Sequence, residues 1–215
     1  MSGLRAVLVC AVLAGIMAVG HAASSDVDQA DAVRIPATST LYRLKLESAV
    51  AAGFGNLDPA ARIAAQVHQE SRWNPGAQSR FAQGMAQFTP ATAAWIPEVC
   101  PELGPSDPWD ANWSMRAAVC YDHWLYRRVG VAASECDRWA FALSAYNGGL
   151  SWVQRDQRRA AAAGDDPARW FGQVEEHSGR AGWAIRENRS YVQRILLRIE
   201  PAYLAAGWPG QAVCE

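Results

Sequence analysis

The 215-residue chain is 50% hydrophobic and only 19% charged, which excludes wholesale disorder and leaves room for a core of ordinary domain size. Twenty basic and 21 acidic residues give a net charge of −1, which excludes a nucleic-acid binder working by bulk electrostatics. Five cysteines and ten tryptophans are the unusual counts.

The N-terminal segment carries Arg5, an uncharged apolar run from Ala6 to Gly20, and small residues placed for cleavage at Gly20-His21-Ala22. That pattern predicts a signal peptide over residues 1–22, and the run is short for a membrane span. The mature protein is therefore expected in the periplasm or outside the cell. The competing reading is a retained, releasable anchor; a lipoprotein reading of Cys10 is weak because Val9 precedes it. Cleavage removes Cys10 and leaves Cys100, Cys120, Cys136 and Cys214, expected as two disulfides with all three pairings open.

Residues 23–38 are polar and aperiodic and read as a flexible leader. Helix signals then recur in a single domain over residues 39–205. Thr40 is placed to cap a segment holding Leu41, Leu44 and Val50 that ends near Gly53 and Gly55. Asp58-Pro59 predicts a helix with Ile63, Ala64 and Val67 on one face, stopping before Asn74-Pro75. Ala77 to Phe88 reads as turns or a short hairpin. Thr89-Pro90 opens a shorter helix through Trp95, and Asp166-Pro167 signals another. Trp113, Ala117, Cys120 and Trp124 share a helical spacing, as do Trp139, Leu143 and Tyr146. A last helix is expected from Asn188 to Ile199, with Tyr191, Ile195 and Leu196 inward and its end at Pro201. Residues 206–215 form a tail that Cys214 would tie down. The fold class is mainly α, with the hairpin or turn region beside a cleft.

Glu70 stands three residues after Val67, so its carboxyl projects from the rim of the buried face beside Trp73. Partial desolvation there would raise its pKa, as general-acid work near neutrality requires. Four segments follow in order: Glu70-Ser71-Arg72-Trp73-Asn74-Pro75, Gly84-Met85-Ala86-Gln87-Phe88, Ala145-Tyr146-Asn147 and Arg189-Ser190-Tyr191-Val192. Together they resemble the soluble lytic transglycosylases, a family with a goose-lysozyme-like α+β fold. The resemblance implies cleavage of the β-1,4 bond between N-acetylmuramic acid and N-acetylglucosamine, with Glu70 as acid and then base and a 1,6-anhydro product. It also implies substrate contacts from Ser79, Gly84, Met85, Gln87, Tyr146, Asn147 and Tyr191. One region departs from the family pattern: Ser79 to Gln87 is one residue shorter, and Met85-Ala86 stands where Leu-Met is expected.

No cofactor or metal is implied. His68-x-Glu70 is not a His-Glu-x-x-His motif, and the four cysteines contain no Cys-x-x-Cys pair. The rival readings are a muramidase with Asp107, Asp110 or Glu187 activating water, and a wall-binding component of an export machine. The expected partner is the glycan strand, with secretion, conjugation or phage machinery as settings and a monomer as the working unit. Sugar stacking by the tryptophans is possible chemistry, but Trp113, Trp124 and Trp139 sit at helical core spacings.

Overall fold

The computed structural model describes residues 33–56 and 58–214. The expected signal peptide, most of the leader and Cys10 lie outside the described residues. Val33 and Ile35 pack against the core ahead of the first helix, so the compact unit begins before residue 39.

Helix α1 (Ser39–Phe54) ends where Gly55 takes a left-handed φ of 77°. It starts ahead of Thr40, and Thr38 at its N-cap makes no side-chain cap. Leu46 and Val50 are its buried residues, whereas Leu41 and Leu44 are 72% and 78% exposed. Leu44 and Leu46 lie about 200° apart around the helix, so docking one turns the other outward. Of the three apolar residues named for this segment, Val50 faces inward and Leu41 and Leu44 face outward.

Helix α2 (Ala60–Ser71) is preceded by Pro59, not capped by Asp58. It is buried all round from Ala60 to His68, because α1, the later helix Ala111–Tyr126 and the C-terminal helices surround it. A single-face reading therefore missed Arg62 and Gln66. Arg62 is fully buried against Glu200, with Nη2 to Oε1 at 2.7 Å and Nε to Oε2 at 3.2 Å, and lies 4.6 Å from the Trp139 ring centre. The segment from Ala77 to Phe88 forms a small hairpin with bridges Gln78–Gln83 and Gln83–Phe88.

Helix α3 (Pro90–Val99) is capped by Thr89, whose Oγ1 accepts the Thr92 N–H at 3.1 Å. Helices α4 (Ala111–Tyr126) and α5 (Glu135–Gly148) are capped in the same manner by Asp110 and Ser134. Helix α6 (Leu150–Ala163) is followed by irregular chain, not by the helix that Asp166-Pro167 suggests. Continuing a helix there would bond the Trp170 N–H to the Asp166 carbonyl. Instead that N–H donates to Asp137 Oδ1 at 2.8 Å, and Asp166 Oδ1 accepts from Ala168 in a tight turn.

Helix α7 spans Gly182–Arg194, beginning earlier than the expected Asn188. A π-helical turn, Ile195–Ile199, then leads into α8 (Glu200–Ala205), so Pro201 does not end the helix. Pro201 sits in the first turn after the wide π segment, where its missing N–H and ring bulk are tolerated.

The described residues are mainly helical, with the hairpin as their extended element. The disulfides pair Cys100 with Cys120 and Cys136 with Cys214, resolving the open pairing and anchoring the tail to α5. Trp113 and Trp139 are buried, as their spacing predicts, while Trp124 is half-buried against Trp95.

Candidate active site

A cleft of about 500 Å³ opens between the hairpin, the end of α2, the C-terminal half of α5 and α7. Glu70 reaches it from the last turn of α2, half-buried. Just beyond, Arg72 and Trp73 adopt left-handed φ values of 54° and 65°, which bend the chain sharply away. Such backbone costs non-glycine residues roughly 1–2 kcal/mol each. Burial of the Trp73 indole offsets it, with Nε1 donating to Tyr203 Oη at 2.6 Å. Tyr203 Oη in turn lies 3.3 Å from His68 Nδ1. Burial first, then Arg72 and Arg194, lower the His68 pKa to about 4, so it is neutral at physiological pH.

Burial pushes the Glu70 carboxyl up to about 8, with nearby Glu187 adding to the rise and the Tyr191 hydrogen bond opposing it. Tyr191 Oη donates to Glu70 Oε1 at 2.5 Å. Burial and the adjacent Glu70 hold the Tyr191 phenol well above its ordinary range, so it remains a donor. The two side chains come from sequence positions 121 apart, on α2 and α7.

The other expected site residues separate into three groups. Ser79, Gln87, Tyr146 and Asn147 line the cleft with Glu70 and Tyr191. Ser79 Oγ accepts the N–H groups of Phe81 and Ala82 and shapes the hairpin tip. Gln87 Nε2 donates to the carbonyls of Ala77 and Gly84, bracing the hairpin base. Tyr146 Oη donates to the Ala86 carbonyl at 2.8 Å, joining α5 to the hairpin. Asn147 Oδ1 accepts from Asn188 Nδ2 at 2.8 Å.

Gly84 and Met85 are not brought to the cleft surface. Met85 is in the core. Gly84 is buried at φ 77°, where a Cβ would lie 1.8 Å from the Pro108 carbonyl oxygen. It permits a close backbone crossing. Of the three carboxylates considered for water activation, Glu187 lines the cleft. Asp110 instead accepts the Trp113 N–H at 2.6 Å, and Asp107 Oδ1 accepts from Asp110 N.

Several residues escaped the sequence reading. Phe81, Thr92, Tyr121, Ser190 and Arg194 also line the cleft. Asn188 is buried beneath it and accepts from Ser144 Oγ and Arg180 Nη2 while donating to Asn147. In the sequence it stood only as the expected start of the last helix, and helical spacing could not reveal its partners. None of the cleft-lining residues is a tryptophan. Cys100, Glu102 and Cys120 bring ligand-type atoms together, but the disulfide occupies both sulfurs.

The arrangement therefore defines a helical protein with one half-enclosed carboxylic acid in an open polar cleft, suited to general-acid chemistry on an extended substrate. The family model described as Transglycosylase SLT domain matches residues 51–168, and the chain belongs to that family. The matched span contains Glu70, Ser79, Gln87, Tyr146 and Asn147 and ends ahead of Tyr191.

Among curated proteins, the chain is similar to membrane-bound lytic murein transglycosylase F of Shewanella frigidimarina. Identity is 36% over 110 residues, covering 51% of this chain and 22% of that protein. The namesake from Vibrio cholerae is 30% identical over 164 residues, covering 67% of this chain and 30% of its own. That from Pasteurella multocida is 36% identical over 110 residues, covering 51% and 21%. The chain thus spans between a fifth and a third of these relatives' length. Among the described residues, no helix is long and apolar enough to cross a membrane.

Proposed function

We propose that the chain is a peptidoglycan lytic transglycosylase that cuts the β-1,4 bond between N-acetylmuramic acid and N-acetylglucosamine in the periplasm or outside the cell. The observation that carries this reading is the half-enclosed Glu70 at the cleft, carrying a proton up to about pH 8 and bonded by Tyr191 at 2.5 Å. Family membership and the names of the similar proteins agree with it.

Tyr191 occupies Oε1, so Oε2 of neutral Glu70 holds the transferable proton. That proton passes to the glycosidic oxygen as the C1–O bond breaks and its electron pair leaves with the N-acetylglucosamine. The oxocarbenium-like muramyl centre is stabilised by its own N-acetyl group, a substrate-assisted route that needs no second protein nucleophile. The C6 hydroxyl oxygen then bonds to C1 and gives its proton to the Glu70 carboxylate. Glu70 is regenerated, no water is consumed, and the product carries a 1,6-anhydro ring. General acid–base transfer of this type contributes roughly 10²–10⁴ in rate.

A hydrolytic reading is favoured by one observation, the presence of Glu187 among the cleft residues. Mass spectrometry of digested, purified cell-wall sacculi separates the two. Products lighter by one water than reducing-end fragments are expected; reducing ends alone would replace transglycosylation by hydrolysis. Glu70→Gln should abolish release of either product, and undiminished activity in that variant would remove Glu70 from the mechanism.

A further inference from the structure

Resting on that reading, we propose that Phe81 is a sugar-stacking platform that receives the apolar face of one N-acetylhexosamine ring at the lip of the cleft. Phe81 is 67% exposed, yet it lines the cleft together with Glu70. The other exposed large apolar side chains, such as Leu44, Trp109 and Trp183, lie outside the cleft lining. Phe88, the other phenylalanine of the cleft lining, is buried and packs on Tyr146 and Trp113.

The backbone that carries the ring is fixed. Ser79 Oγ accepts the Phe81 and Ala82 N–H groups at 3.2 and 3.0 Å, and Ser79 N donates to the Ala82 carbonyl at 2.9 Å. The Gln78–Gln83 bridge closes the tip below. Binding there would order little chain, so most of the stacking gain would survive as affinity. The Arg80 guanidinium carbon stands 5.2 Å from the Phe81 ring centre and engages the ring electrostatically.

Hexosamine chemistry fits this site. Equatorial hydroxyl and acetamido groups leave the ring's faces lined with C–H bonds, and a phenyl disc matches such a face in size and polarity. Glu187, Ser190 and Arg194 on α7 line the same cleft and offer the charged and hydroxyl groups that a sugar's polar rim requires.

The test measures binding of a soluble, peptide-free chito-oligosaccharide by calorimetry in a Glu70→Gln background, together with cleavage of soluble glycan strands by otherwise native enzyme. Phe81→Ala should weaken binding about tenfold, the loss expected for re-exposing a partly covered phenyl group. Phe81→Tyr and Phe81→Trp should stay within about twofold, because the flat face remains. Cleavage by Phe81→Ala should show a raised KM with little change in kcat. Phe81→Leu, equally apolar but without a flat face, should behave like the alanine variant. Unchanged binding and KM in Phe81→Ala would overturn the platform while leaving the transglycosylase reading in place. A lowered melting temperature in Phe81→Ala, with full recovery in Phe81→Leu, would overturn it in favour of simple hairpin packing. A parent chain that neither binds nor cleaves glycan would overturn the functional reading and this inference with it.

Discussion

The proton that burial keeps on Glu70 to about pH 8 is one the unfolded chain releases near pH 4.5. Two consequences follow with definite signs. As acid, Glu70 must be protonated, so kcat/KM should fall as pH rises through about 8. Tyr191 lowers the Glu70 pKa, so Tyr191→Phe should move that alkaline limb upward; a downward move would contradict the 2.5 Å contact as described. For stability, the folded state binds more protons than the unfolded state between pH 4.5 and 8, so stability drops across that window and stays lower above it. Glu70→Gln removes the penalty. It should raise the melting temperature by about 2–6 °C at pH 9 and much less at pH 4. At this scale the sequence was legible only in part. Helical spacing cannot distinguish a half-buried glutamate from an exposed one, and four ordered motifs supplied the difference. Asn188 and Phe81 stayed hidden because their surroundings are built by chain segments far away in sequence.

Between elements, the contact of α2 with α4 holds a buried acid, Asp122. Asp122 is fully buried, and Gln66 Nε2 donates to its Oδ1 at 3.2 Å one helical turn before Glu70. Among the described residues, Asp122 Oδ2 and Gln66 Oε1 are buried without a donor. Burial holds Asp122 well above the ordinary aspartate range, and the protonated form can donate from Oδ2 as a carboxylate cannot. Asp122→Asn keeps a donor and an acceptor, and it should melt at or above the parent temperature at pH 7. Asp122→Ala should cost roughly 1–3 kcal/mol by stranding the Gln66 amide, as denaturant titration would measure. Element existence was largely readable, and element ends were not. Proline was misjudged twice: Pro167 starts no helix because Asp137 takes the Trp170 amide, and Pro201 stops none because a π turn precedes it. Apolar residues alone did not orient the first helix: Leu41 and Leu44 are exposed, and α1 docks through Leu46 and Val50.

Over the whole molecule, two disulfides and the buried Arg62–Glu200 pair join parts distant in sequence. Cysteine count and context implied two bridges, whereas the pairing needed the fold. Bridges spanning 20 and 78 residues should stabilise by roughly 3 and 4.5 kcal/mol on chain-entropy grounds. Replacing Cys136 and Cys214 by serine should therefore lower unfolding free energy by about 1 kcal/mol more than replacing Cys100 and Cys120. Equal losses in the two variants would show that local packing outweighs loop length. The longer bridge also has a topological effect. Tyr146, Asn147 and Tyr191 lie inside the covalent ring that it closes, while Glu70 and the hairpin lie on the linear part of the chain. A single peptide-bond cut within the ring leaves one covalent molecule, so the phenol and the acid it contacts stay tethered. A cut at the exposed hairpin tip separates the Glu70-bearing fragment from both disulfides of the described residues, leaving non-covalent packing such as Arg62 on Glu200 to retain it. The cleft is therefore a seam between a closed loop and an open strand of chain.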